Sequence, residues 1–189
     1  MLGREGFEHL LGFHAAPTFV GLKPGSMLSF HRSKFQDFDR LLAYYEKCFL
    51  CKGISLFRLV EGAEFVLILF YRENDLKEAL EKPMTQKLLS RYGYRSEGAL
   101  HEKLEHLRYR MRKMNSFPHE VGLFLGYPPE DVAGFIEHRG QSFSYSGYWK
   151  VYTNEEATRK LFDRYTRCTR EFCNKLELGM NFSELLTTG

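Results

Sequence analysis

Apolar positions along this chain fall into two kinds of pattern, short β-rich runs and stripes at helical spacing. Residues 54–60 and 64–71 are rich in β-branched and aromatic side chains, and Glu61-Gly62-Ala63 between them is a turn signal. They predict a hairpin. Residues 65–70 are apolar at consecutive positions instead of alternate ones, which predicts a central strand covered on both faces. In residues 35–52, Phe38, Leu41, Leu42, Tyr45, Cys48 and Phe49 form one helical stripe, ended by Gly53. Leu100, Leu104, Leu107, Met111 and Met114 repeat that spacing over residues 99–114, with Ser96 as a candidate cap. The longest stripe runs through Ala157, Leu161, Tyr165, Cys168, Phe172 and Leu176. Thr153 and Glu156 have capping-box spacing at its start.

The remaining segments are shorter. Residues 5–12 predict one or two helical turns, which Pro17 ends by pushing Ala16 out of the α region. Residues 19–31 read as extended, bent at Lys23-Pro24-Gly25. Residues 73–89 predict a helix broken near Pro83, and residues 91–98 a loop. For residues 121–127 a strand is favoured, with a compact helical turn as the alternative. Residues 130–138 predict a short helix ended by Gly140, and residues 144–152 a last strand. The resulting order, β-α-β-β-α-α-β-α-β-α, predicts a single domain over residues 1–189. Its class is α/β, with α+β the alternative: a mixed sheet of about five strands with helices packed on its faces. The opening β-α-β-β-α order also occurs in ferredoxin-like sandwiches.

Composition narrows the setting more than the function. A chain of 189 residues buries enough surface to fold without a disulfide or metal staple. A formal net charge of +3 gives no strong nucleic-acid signal. No apolar run approaches the ~20 residues of a membrane helix, and the first residues carry charges on both sides of their few apolar positions, unlike a signal peptide. These features predict a cytoplasmic protein with reduced cysteines. Aromatic residues reach 15%, which supplies either large core area or stacking faces for a planar ligand.

Cys48 and Cys51 have C-x-x-C spacing, but they fall at the C-terminal end of a predicted helix, where the dipole disfavours a thiolate. Cys168 and Cys173 point about 140° apart around a helix, so one ion cannot take both, and no metal site is expected. His101 and His106 are one residue too far apart for H-E-x-x-H. Arg108, Arg110, Arg112 and Lys113 form a basic end to the same helix.

Residues 117–152 hold the densest set of shaping residues: Pro118, Pro128 and Pro129, several glycines and the single tryptophan. Pro118 leaves His119 and Glu120 in a constrained junction, where an imidazole would serve as acid or base. Read as a strand, residues 120–127 put Gly122 and Gly126 on either side of Phe124, which suits either a ligand floor or a closely packed helix. Strand alternation puts Lys150 between Tyr148 and Tyr152, an arrangement for a planar or anionic ligand or for an ordinary sheet surface. His14 and Thr18 bracket Pro17 in a segment read as an entry loop or a lid.

His14, Ala16-Pro17-Thr18, the Phe117–Glu120 segment, Gly122, residues 124–128, Asp131-Val132, residues 134–136 and residues 147–152 together form a pattern that resembles a bacterial domain-of-unknown-function family, common in anaerobic Gram-positive bacteria. Relatives in that family carry cysteine after the first histidine, where this chain has Ala15. The resemblance implies no activity, cofactor or catalytic residue.

The leading expectation is a small planar or anionic ligand in an aromatic-lined cleft. His14, Thr18, Tyr148, Lys150 and Tyr152 would contact it, and His119 with Glu120 would supply any acid/base chemistry. A redox- or iron-associated accessory protein binding haem or another tetrapyrrole, with His14 or His119 as axial ligand, is the alternative. A non-catalytic interaction module using the basic helix end is the third reading. Cofactor and oligomeric state stay open.

Overall fold

The structure, a computed structural model, describes residues 1–114 and 117–187. In chain order its elements are α1 (Arg4–Phe19), β1 (Gly25–His31), a 3-10 turn (Arg32–Lys34), α2 (Phe38–Cys51), β2 (Ile54–Glu61), β3 (Phe65–Arg72), α3 (Glu73–Glu81) and α4 (Pro83–Ser90). There follow α5 (Leu100–Lys113), α6 (Val121–Phe124), α7 (Pro129–Glu137), β4 (Tyr145–Ser146), β5 (Lys150–Val151), α8 (Glu155–Glu177) and α9 (Phe182–Leu185).

The predicted hairpin forms, and its second strand is central. β3 pairs antiparallel with β2 on one side and with β1 on the other, in the order β1-β3-β2. A bulge between Arg58 and Val60 shifts the β2 register. The consecutive apolar residues of β3 then divide by alternation. Val66, Ile68 and Phe70 enter a cluster with Phe7, Phe19, Phe49 and Phe172. Leu69, with Leu67 beside it, enters a second cluster with Leu76, Leu104 and Phe124. One face of the sheet is therefore covered by α1 and α2 and the other by the α3–α7 region. α8 spans both clusters, giving Phe162 and Tyr165 to one and Phe172 and Leu176 to the other.

The expected mixture of helices and strands holds, and the class is α+β. The five strands form a three-stranded and a two-stranded sheet, antiparallel throughout.

Four local readings are corrected. Residues 121–124 are a helical turn, the alternative weighed above, and not a strand. Gly122 packs so closely that a Cβ there would lie 2.9 Å from Trp149 and from Val132. Gly126 leaves the turn at φ +76 against the Pro24 ring, a conformation an L side chain adopts at a cost. Residues 144–152 form a tight β4–β5 hairpin instead of one strand, so alternation no longer relates Tyr148 to Lys150. α1 continues through Pro17 for a further turn, because Ala15, Ala16 and Phe19 are all fully buried on that stretch. Stacking of Phe19 on Phe49, with ring centroids 5.4 Å apart, offsets part of the proline penalty. The helix caps also differ. Asn154 caps α8 by accepting from the Ala157 N–H, and at the start of α5 the Glu102 carboxylate accepts from the Ala99 N–H.

Two buried polar groups hold chain ends together. The Arg72 guanidinium donates to the carbonyls of Thr18 (2.9 Å), Phe19 (2.6 Å) and Thr187 (2.6 Å). It thereby caps the C-terminus of α1 and pins the end of the described chain. Asp131 accepts from the N–H groups of Tyr152 (2.8 Å) and Thr153 (3.0 Å), which fixes α7 to the entry of α8.

Candidate functional site

α1 ends in a turn at Gly21, φ +76, after which the N–H groups of Leu22 and Lys23 both donate to the Pro17 carbonyl (2.8 and 3.1 Å). That turn leads into Lys23, whose side chain is buried against Tyr127 and, on α8, Tyr165. Pro24 is clamped there: its ring packs on Gly126 and its carbonyl accepts from the Arg72 N–H at 3.0 Å. Lys23 is 8% exposed.

No carboxylate pairs with Lys23 among the described residues. Its Nζ donates to the Tyr127 hydroxyl at 3.3 Å and lies 4.8 Å from the centroid of the Tyr127 ring and 5.9 Å from that of Tyr165. Loss of hydration is the cause that dominates its acidity, and it lowers the ammonium pKa from 10.5 to about 8. Buried lysines are ordinarily paired; Lys103, as deeply buried and also without an ion pair among the described residues, donates to the Ser96 carbonyl at 3.2 Å and lies outside this cleft.

Lys23 lines a cleft of about 620 Å³. Ser26, Met27 and Leu125 contribute to its wall, and exposed Phe13, His14, Tyr148 and Arg170 line it as well. Behind the wall, Thr18 and Ser26 share a hydrogen bond of 2.8 Å between hydroxyls. Tyr127 stacks on Trp149 with centroids 5.0 Å apart, which couples the lysine to the single tryptophan. Partial burial of its ring lowers the His14 pKa, which favours the neutral imidazole. Size alone does not distinguish this cleft, because one of about 660 Å³ lies against Pro83, Met84 and Pro128. The desolvated cation does.

The structure brings some of the sequence-predicted residues together and separates others. His14 and Tyr148 line this cleft, and Thr18 supports it from behind through Ser26. Tyr148 also exchanges a hydrogen bond with Thr166 at 3.1 Å. His119 is exposed, away from the cleft lining, with its ring 4.9 Å from that of Phe135. Glu120 is 1% exposed and bonded to the Arg110 guanidinium and the Tyr94 hydroxyl. Lys150 donates to the Gly140 carbonyl at 2.5 Å, and Tyr152 stacks on His138.

Lys23 is the residue that sequence reasoning passed over. A lysine before Pro-Gly reads as an ordinary turn, and the packing of Tyr127 and Tyr165, distant in the chain, makes it a buried one. The thiols stay unactivated, since burial pushes Cys48, Cys168 and Cys173 above their ordinary values. No group of three metal-ligating side chains occurs among the described residues, and no described helix is long and apolar enough to cross a membrane.

Comparison with curated proteins and with solved structures finds no match. A family model does match, over residues 11–186, a span that includes the second half of α1, the three-stranded sheet and α8. The chain therefore belongs to the family described as Protein of unknown function (DUF3793).

Proposed function

We propose that this protein binds a small anionic, planar organic molecule in the Lys23 cleft, as a cytoplasmic bacterial ligand-binding protein. The observation that carries the reading is an almost fully buried ammonium that no carboxylate pairs with among the described residues, on the wall of a cleft of about 620 Å³ whose lining holds one acidic side chain, Glu177. A carboxylate or similar anion placed there supplies the missing countercharge, and Met27, Leu125 and Tyr148 supply apolar and aromatic surface for its body. His14, with its neutral form favoured and on the same lining, is better placed than His119 to move a proton to or from such a ligand. The interaction-module reading loses support because the basic end of α5 is partly neutralised: Arg110 is held by Glu120 and Arg108 by Glu105.

Benzoate is a suitable probe, read through Trp149 fluorescence. Binding is expected to be saturable in the wild type, lost in Lys23→Met and unchanged in His119→Ala. Native mass spectrometry of the purified protein tests the same point without choosing a ligand. Absence of any saturable response to benzoate, acetate or phosphate, with no retained molecule, would end the proposal. A response lost in His119→Ala but kept in Lys23→Met would move the site to the Pro118–Glu120 junction.

A further inference from the structure

Lys23 has a second property beyond its charge. An amine that attacks a carbonyl must be deprotonated, free of a carboxylate partner and reachable from solvent through a cleft. Among the described residues the Lys23 nitrogen has one hydrogen bond, to the Tyr127 hydroxyl, lies over the rings of Tyr127 and Tyr165, and lines a cleft. We propose that Lys23 is the nucleophile of an imine-forming site for small carbonyl acids, compounds that carry an aldehyde or ketone next to a carboxylate. This inference rests on the ligand-binding reading above and names the ligand class of the same cleft.

The step balances with groups on the page. The Nζ lone pair adds to the carbonyl carbon, and the carbonyl π pair moves to oxygen. That oxygen takes a proton from the Tyr127 hydroxyl, 3.3 Å from the nitrogen, and the nitrogen returns one to the phenolate. The carbinolamine then loses its hydroxyl with a proton as water, and the carbon–nitrogen double bond forms. With its pKa at about 8, roughly a tenth of Lys23 is neutral amine at pH 7, against well under a thousandth for a lysine at 10.5. Arg170 on α8 lines the same cleft and makes no ion pair among the described residues, so it is available to the carboxylate of the ligand. The product is a neutral imine; once it takes a proton from solvent, the resulting iminium places its positive charge against the Tyr127 and Tyr165 faces.

Glyoxylate with sodium cyanoborohydride tests this on the full chain. Reduction of the imine leaves a carboxymethyl group on nitrogen, which peptide mass spectrometry locates. At limiting reagent, Lys23 is expected to be labelled at least tenfold faster than any other lysine, with a rate that rises with pH and levels off above about 8. Selectivity should vanish in urea. Lys23→Arg should remove the fast label, and Lys23→Met, expected to fold at least as well, should remove both the label and benzoate binding. Labelling spread evenly over surface lysines, with benzoate binding intact, would overturn the imine site and leave the anion reading standing. Loss of both responses in the wild type would overturn both.

Discussion

Replacing Lys23 by methionine should stabilise the unliganded protein, which is the reverse of the usual result for a core substitution. Lowering a lysine pKa from 10.5 to about 8 means that the protonated side chain costs roughly 3 kcal/mol in the folded state at pH 7. The sign follows from proton counting. Between pH 8 and 10.5 the unfolded chain holds a proton that the folded chain has released, so wild-type stability rises with pH through that window. The cost falls to roughly 1 kcal/mol at pH 9.5. Methionine removes the charge at similar volume, though it also removes the bond to Tyr127, worth about 1 kcal/mol. The net expectation at pH 7 is a gain of about 2 kcal/mol. Urea unfolding followed by Trp149 fluorescence should read this as a midpoint raised by roughly 0.7–1 M. The gap should close almost fully by pH 9.5. A variant no more stable than wild type at pH 7, or a gap independent of pH, would refute the claim that Lys23 is buried as an uncompensated ammonium.

Arg72→Met removes a donor from four buried or partly buried carbonyls, those of Thr18, Phe19, Lys52 and Thr187, and should cost about 3–5 kcal/mol, lowering the melting temperature by roughly 10 °C; Arg72→Lys should rescue little, since one ammonium does not span that fork. Asp131→Ala should cost about 2–3 kcal/mol by orphaning the Tyr152 and Thr153 N–H groups, and hydrogen exchange should show the β5–α8 junction opening first. Gly122→Ala should cost about 1–3 kcal/mol through overpacking against Trp149 and Val132, and the tryptophan emission should shift with it.

Local chemistry accounts for what the sequence made legible. The hairpin of β2 and β3, the central position of β3 and the courses of α2, α5 and α8 follow from apolar periodicity, a signal carried by neighbours in sequence. Residues 121–127 and 144–152 misled for a shared reason. Their apolar residues satisfy strand alternation, but Gly122 and Gly126 serve contacts with Val132, Trp149 and Pro24, all distant in the chain. Pro17 misled because a steric rule about the preceding residue yields when the whole helix face is buried. In the site, His14 and Tyr148 are legible as exposed polar aromatics near special backbone. Lys23 is not, since its type and its Pro-Gly neighbours describe a surface turn. The burial that sets it apart comes from Tyr127 and Tyr165, more than a hundred residues away.

The energetics of that lysine bear on its purpose. Loss of hydration is the cause of the depressed pKa, and no carboxylate among the described residues offsets its cost of roughly 3 kcal/mol. An anion that restores the ordinary pKa recovers that amount on binding. It should therefore bind about a hundredfold more tightly to wild type than to Lys23→Met at pH 7. Linkage requires a second effect: between pH 8 and 10, binding must draw a proton onto the nitrogen. Calorimetry with benzoate at pH 8.5, in two buffers of different ionisation enthalpy, should read uptake of most of one proton, and none in the methionine variant. Binding without uptake would put the anion elsewhere in the cleft and leave the buried charge unexplained.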